Sequence, residues 1–202
     1  MKVKQFISLA ALAFVSCFAH AEINIDASAP NFSLTNEQGQ TVSLSDYQGK
    51  YVVLEWTNHK CPYVVKHYDS GNMQSLQKKY TAQDVVWLSI VSSAPGKQGY
   101  VDAAEAQELT KSRSAAPTHV LFDPSGEVGK LYGAKTTPHM YIIDKQGKLR
   151  YAGGIDSIKS ANPADIKKAD NYVEQGLSAL MSGQTIANKL TPPYGCSVKY
   201  KS

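Results

Sequence analysis

The chain predicts an α/β sandwich: a central mixed β-sheet with helices on both faces, an N-terminal β-hairpin, and a C-terminal helix followed by a tail. Three observations carry this reading. Apolar runs of strand length, at 51–56, 84–91 and 118–123, alternate with segments of helical periodicity, the pattern of parallel strands joined by crossover helices. Two further runs, Pro138 to Asp144 and Leu149 to Gly154, flank the turn Lys145-Gln146-Gly147-Lys148 and close the series as an antiparallel hairpin. A composition 43% hydrophobic and 19% charged over 202 residues suits one globular domain with extensions.

In chain order, residues 1–21 read as a secretory signal. Lys2 and Lys4 precede the apolar run Phe6 to Phe18, and Ala19-His20-Ala21 forms a small-x-small cleavage site, so the mature protein is expected to begin at Glu22. The run is too short to span a bilayer, and no membrane association is expected after cleavage. Acylation of Cys17 is a weaker reading, because Phe14-Val15-Ser16 fits the small-residue box of a lipoprotein poorly. Export places the protein in an oxidising compartment, the periplasm. Without Lys2 and Lys4 the net charge falls from +4 to +2, too little to argue for nucleic acid or an anionic membrane.

The mature domain is expected over 22–154, with 155–202 as its helical extension and cysteine-containing tail. Pro30 to Leu34 and Thr41 to Leu44 flank a turn at Asn36 to Gln40 and form the small hairpin. The run Tyr51-Val52-Val53-Leu54-Glu55-Trp56 is rich in β-branched and aromatic residues, as a buried strand is. A helix follows from Pro62 to Tyr80, with Gly71 and Asn72 as a point of interruption. The near-continuous apolar run Asp84 to Val91 predicts a strand buried on both faces. After a Pro- and Gly-containing loop come a polar helix over 101–113, a strand over 118–123, and a short helix ending near Tyr132. Ile155 to Lys168 reads as loop, and a helix from Ala169 to Met181 packs through Tyr172, Val173, Leu177 and Leu180. The tail Thr191-Pro192-Pro193-Tyr194-Gly195-Cys196 is excluded from regular helix and central strand by its prolines.

The chemistry converges on Trp56-Thr57-Asn58-His59-Lys60-Cys61-Pro62-Tyr63-Val64. Pro62 has the φ suited to a first helical position, so Cys61 is expected at a helix N-terminus. There the unpaired N–H groups and the positive dipole end favour a thiolate, with Lys60 and His59 adding positive charge. A thiolate is the nucleophilic form, which makes Cys61 a candidate catalytic or redox cysteine rather than a small apolar filler. The mature chain has one other cysteine, Cys196. The two could form a redox pair, a permanent staple of the tail, or two independent thiols.

Three segments together resemble the thioredoxin-like superfamily, and within it the redoxins related to peroxiredoxins (alkyl hydroperoxide reductase and thiol-specific antioxidant proteins). They are Ala29-Pro30-Asn31-Phe32-Ser33-Leu34 with Leu44-Ser45-Asp46-Tyr47-Gln48-Gly49-Lys50; the Cys61 turn; and Lys135 to Lys148. The resemblance covers roughly residues 28–154. It implies that the Thr137-Pro138 bond is cis, lies beside the reactive cysteine, and presents the backbone before it to a bound thiol substrate. The chain also departs from the pattern. Val64 stands where thioredoxins carry their second cysteine, so dithiol exchange within Cys61-Pro62-Tyr63-Val64 is excluded. Leu54 and Asn58 replace the proline and threonine of the peroxiredoxin motif, and Arg150 resembles the arginine near the peroxide. A related group with Asn-His-Cys-Pro-Tyr-Val in this turn matches best, with Lys60 inserted.

The leading expectation is therefore a periplasmic, antioxidant-type thiol oxidoreductase with Cys61 as nucleophile and no cofactor. In one version Cys61 attacks a peroxide and becomes a sulfenic acid that Cys196 or an external thiol resolves, Asn58 or His59 donates to the leaving oxygen, and Arg150 stabilises its charge. In the other Cys61 exchanges with a disulfide substrate, Thr137, Pro138 and His59 bind it, and an external thiol or protein supplies electrons. A copper or zinc module using Cys61 with His59, His67 or His139 is the alternative from another class, and a redox-inactive binding protein on the same fold is a third. Oligomeric state is left open.

Overall fold

The computed structural model describes residues 24–201; the expected signal sequence with its expected cleavage site after Ala21, and Cys17, lie outside the described residues. The strands are β1 (Ser33–Asn36), β2 (Thr41–Ser43), β3 (Val52–Trp56), β4 (Val86–Val91), β5 (His119–Phe122), β6 (Thr136–Thr137), β7 (His139–Ile143), β8 (Leu149–Gly153) and β9 (Cys196–Ser197). The α-helices are α1 (Pro62–Asp69), α2 (Asn72–Thr81), α3 (Ala103–Ser112), α4 (Glu127–Leu131) and α5 (Tyr172–Met181). A seven-stranded sheet has the order β2-β1-β5-β4-β3-β7-β8. Its centre, β3-β4-β5, is parallel, and β7 and β8 on one side and β1 and β2 on the other run antiparallel. This is the mixed sheet expected of crossover helices followed by a closing hairpin.

Alternation along β3 divides the core. Val53 faces a cluster with Trp87, Ile142, Tyr151, Val64, Leu76 and Leu177, so α1, α2 and α5 cover that face. Val52, Leu54 and Trp56 point the other way, where Leu88, Tyr141, Val128 and Tyr132 bring in α4. No helix of the described residues is long and apolar enough to cross a membrane.

The single helix expected over 62–80 is two helices. Ser70 ends α1, and Gly71, at φ +75°, starts α2 in a left-handed conformation that favours glycine. The stretch expected as loop at 155–168 contains a 3-10 turn, Pro163–Lys168, capped by the Asn162 side chain. The tail is neither helix nor part of the main sheet; its β9 pairs antiparallel with β6 as a separate two-stranded ribbon.

Candidate active site

The site is built where β3 runs out. The Asn58 side chain accepts the Lys60 N–H at 2.9 Å and its carbonyl accepts the Cys61 N–H at 3.0 Å, closing a tight turn after the strand. Cys61 is the N-cap of α1, in extended backbone, and Pro62 occupies the first turn. Its carbonyl receives the Val64 and Val65 N–H groups, both at 2.9 Å. Cys61 is fully buried.

The other wall comes from β6. The Thr137-Pro138 bond is cis, and the Thr137 carbonyl oxygen lies 3.1 Å from Cys61 Sγ. Cys196 stands opposite Thr137 in the β6–β9 ribbon, which brings its Sγ to 2.6 Å from Cys61 Sγ. Both are free thiols, farther apart than the about 2.05 Å of a disulfide. Two cysteines 135 positions apart in sequence are thus in contact across the end of the sheet.

The pair is electrostatically asymmetric. Burial pushes the Cys61 thiol up, but hydrogen-bonding contacts with Cys196 and Thr137, and with backbone groups including Val64, outweigh it and hold Cys61 below the ordinary thiol value. Burial and then the Cys61 sulfur push Cys196 up to about 11. The pair is therefore unequal: Cys61 is the sulfur that ionises more readily, and Cys196 the one that holds its proton more tightly.

The structure gathers Cys61, Cys196, Thr137 and Pro138 in one place, and sets the other candidates elsewhere. Arg150 is removed from the sulfur: its guanidinium pairs with Asp26 at 2.6 Å and Asp144 at 3.1 Å. It sits at the Ile142/Ile143 bulge of the β7–β8 ladder, roughly 13 Å along the strand from Pro138 at about 3.3 Å per residue. Asn58 is buried and spends its amide on the turn and on the Gln98 carbonyl at 3.2 Å, so it shapes the loop instead of donating to a peroxide oxygen. His59 turns away toward α3, 3.7 Å from Glu105, and lines a cleft with Tyr68, Arg113 and Val101. Burial lowers its pKa despite Glu105, so it brings little positive charge.

The soft-metal alternative meets a similar dispersal. His67 is buried against Tyr194 and Asn72, and His139 against Tyr141. Among the described residues no group of three His, Cys, Asp or Glu is placed to hold a metal ion.

Two groups escaped the sequence reading. Under the tail, Lys66 Nζ lies 3.4 Å from Asp156 and 3.5 Å from the Tyr194 hydroxyl, which itself donates to Asp156. His67 Nδ1 accepts from Asn72, so its Nε2–H is left to donate to the Tyr194 oxygen at 3.3 Å. Tyr194 precedes Cys196 by two residues, and this buried cluster fixes where the tail cysteine stands. On β3, Glu55 is fully buried and accepts from Tyr68, Gln77, Trp87 and Ser89. A charged residue in an apolar strand run was the only signal for it.

A cysteine of lowered pKa at a helix N-terminus, beside a cis proline and in contact with a second thiol, on a mixed sheet flanked by helices, defines a thiol oxidoreductase of the thioredoxin-like superfamily. Residues 25–152 match the AhpC/TSA family, and the chain belongs to it. It is 28% identical over 131 residues to the thiol-disulfide oxidoreductase ResA of Bacillus thuringiensis subsp. konkukian (strain 97-27), covering 63% of this chain and 68% of that one. An uncharacterized conserved protein from Geobacillus kaustophilus superposes with a TM-score of 0.77 at 26% identity, over 90% of this chain and 94% of the other. A hypothetical protein from Sinorhizobium meliloti 1021 shares the fold at a TM-score of 0.74 and 21% identity, over 90% and 97% of the two chains.

Proposed function

We propose that this protein is a periplasmic thiol–disulfide oxidoreductase that cycles between the Cys61/Cys196 dithiol and an intramolecular disulfide. The observation that carries the reading is the 2.6 Å contact between a thiolate-favouring and a thiol-favouring sulfur. The Cys61 thiolate attacks one sulfur of a disulfide substrate, forms a mixed disulfide and expels the first substrate thiolate. Cys196 then loses its proton, attacks the Cys61 sulfur and expels the second, leaving Cys61–Cys196 oxidised and the substrate reduced by two electrons. An external thiol or dithiol protein reverses the internal disulfide. The name of the ResA relative supports exchange as the chemistry, and the leader-like residues 1–21 support export.

Membership of the AhpC/TSA family favours a second reading in which a hydroperoxide is the oxidant. Cys61 then attacks the peroxide oxygen, the O–O bond breaks with loss of water or an alcohol, and Cys196 condenses with the Cys61 sulfenic acid to release water. The positions of Arg150 and Asn58 weigh against it.

The test is mass spectrometry of the reduced mature protein after one equivalent of 2-hydroxyethyl disulfide or hydrogen peroxide, with Cys61→Ser and Cys196→Ser alongside. Exchange predicts loss of both thiols in the wild type and a mixed disulfide held on Cys61 in Cys196→Ser. A sulfenic acid trapped at Cys61 by peroxide alone would shift the assignment to the second reading. An unmodified Cys61 with either oxidant would refute both.

A further inference from the structure

Thr136–Thr137 presents a strand edge beside Cys61, and that edge is already taken by the molecule's own tail. An extended polypeptide approaching the thiol by adding a strand would need the backbone groups that Cys196–Ser197 now pair with. Resting on the thiol-exchange reading above, we infer that the tail is a substrate filter: turnover through Cys61 and Cys196 is confined to low-molecular-weight disulfides and excludes polypeptides that dock by strand pairing.

The tail is a seated strap. Thr191 Oγ1 meets the Tyr151 hydroxyl at 2.6 Å and the Gly154 N–H at 3.1 Å. Tyr194 is buried, with its hydroxyl in the Lys66, His67 and Asp156 cluster and its ring on Tyr63. Beyond the cysteine, the Val198 N–H donates to the Lys135 carbonyl at 3.1 Å, and Tyr200 donates to the Ala134 carbonyl at 2.6 Å. Tyr200 rests where Cβ atoms on Gly126 or Gly129 would stand 2.5 and 2.4 Å from its ring and hydroxyl. Gly195 is required for the crossing itself: it holds φ +137°, and a Cβ there would fall 2.0 Å from the Thr137 carbonyl oxygen.

The exclusion follows from competition for one place. Cys196 reaches Cys61 only from its register opposite Thr137. A polypeptide paired along Thr136–Thr137 in a mixed disulfide with Cys61 therefore displaces the resolving cysteine and stalls. A small disulfide needs no strand register, so local lifting of the β6–β9 bridge, with Tyr194 and Tyr200 still seated, admits it and lets Cys196 return. A strap open about 1 to 10% of the time lowers the apparent rate for anything that needs the free edge about 10- to 100-fold.

The experiment measures mixed-disulfide formation at Cys61 in Cys196→Ser, which keeps the strap, and in Cys196→Ser carrying Gly195→Ala, which forces it off the edge. The oxidants are 2-hydroxyethyl disulfide and insulin, with Tyr200→Ala in the same background as a milder release should Gly195→Ala fail to fold. The expected result is a rise of about 10- to 100-fold in the insulin to small-disulfide rate ratio on release of the strap. An unchanged ratio, with the small disulfide still reacting, would overturn the filter and leave the thiol-exchange reading standing. No reaction at Cys61 with either oxidant would overturn both.

Discussion

Lys66→Met is the most demanding perturbation of the tail anchor. The Lys66 side chain is 0% exposed and that of Asp156 3%, so the pair sits where water cannot replace a lost partner. Methionine restores most of the packed stem, which leaves the orphaned Asp156 carboxylate as the main term. Removing one partner of a buried pair costs about 3–5 kcal/mol. At about 2–4 °C per kcal/mol for a domain of this size, the melting temperature should fall by roughly 6–20 °C at pH 7. The pH dependence adds a signature. Burial, with Lys66 contributing, holds His67 down at about 4 in the folded protein against an ordinary value of 6.5. A histidine with a depressed folded pKa binds more protons when unfolded, so the wild type loses stability as pH falls below 6.5 toward 4. The loss due to His67 is about 2 kcal/mol at pH 5. Without Lys66, Asp156 draws His67 upward, so the variant should lose less between pH 7 and pH 5 than the wild type does. The assay is thermal unfolding of the reduced proteins followed by circular dichroism at both pH values. Lys66→Met combined with Asp156→Asn should recover most of the stability, because no buried charge is then unpaired. A drop below about 2 °C for the single variant, or a double variant no better than the single, would refute the ion-pair account.

Three further outcomes are expected. Alkylation of Cys61 by iodoacetamide should show a midpoint below that of an ordinary thiol, and Cys196→Ala should move it upward by removing the neighbouring thiol that helps hold it down; a midpoint that stays or falls would contradict that asymmetry. Glu55→Gln should cost about 1–3 kcal/mol in urea unfolding at pH 7, because the amide NH₂ meets at least one of the Trp87, Ser89, Gln77 and Tyr68 donors. Since burial raises the folded pKa of Glu55, its ionisation opposes folding, and the wild type should lose stability relative to Glu55→Gln as pH rises from about 4 toward neutrality. Arg150→Ala should leave the rate of Cys61 with peroxide and with disulfide unchanged and cost about 1 kcal/mol for each of the two ion pairs it loses, with Asp26 and with Asp144.

What could be read in the sequence was whatever is decided by neighbours in the chain. Strand β3, the turn after it and the placing of Cys61 before Pro62 follow from residues within one short window. The cis bond at Pro138 lay within reach only through resemblance, because a proline opening an apolar strand is tolerated in either isomer. Arg150 shows the limit of a local motif. Its position after Gly147-Lys148-Leu149 is right for the hairpin, but strand direction carries it away from the cysteine, and Asp26 and Asp144 are there to take it. Lys66 was hidden for the opposite reason. A lysine on a polar-looking helix reads as solvated, and its partners Asp156 and Tyr194 stand 90 and 128 positions away. The contact of Cys61 with Cys196 belongs to the same class, since spacing alone did not decide between a redox pair and a staple and left two separate thiols as a lesser alternative.

The way Cys196 is delivered bears on the chemistry. In a Cys-x-x-Cys motif the second thiol is carried by the same helix turn and its proximity does not depend on the rest of the fold. Here Val64 fills that position, and proximity depends on the anchors that seat the strap: Thr191, Tyr194, Val198 and Tyr200. The effective concentration of Cys196 at Cys61 is then a property of strap stability. Once the anchors are weakened enough that the lifted strap predominates, each further 1.4 kcal/mol lowers that concentration tenfold and raises the reduction potential of the pair by about 30 mV. Linkage makes the converse hold: closing the disulfide stabilises the strap by the same free energy. The anchors that exclude strand-paired substrates from the Thr137 edge thus also favour the oxidised state, so substrate range and redox poise are set by the same few contacts and should shift together when any of them is weakened.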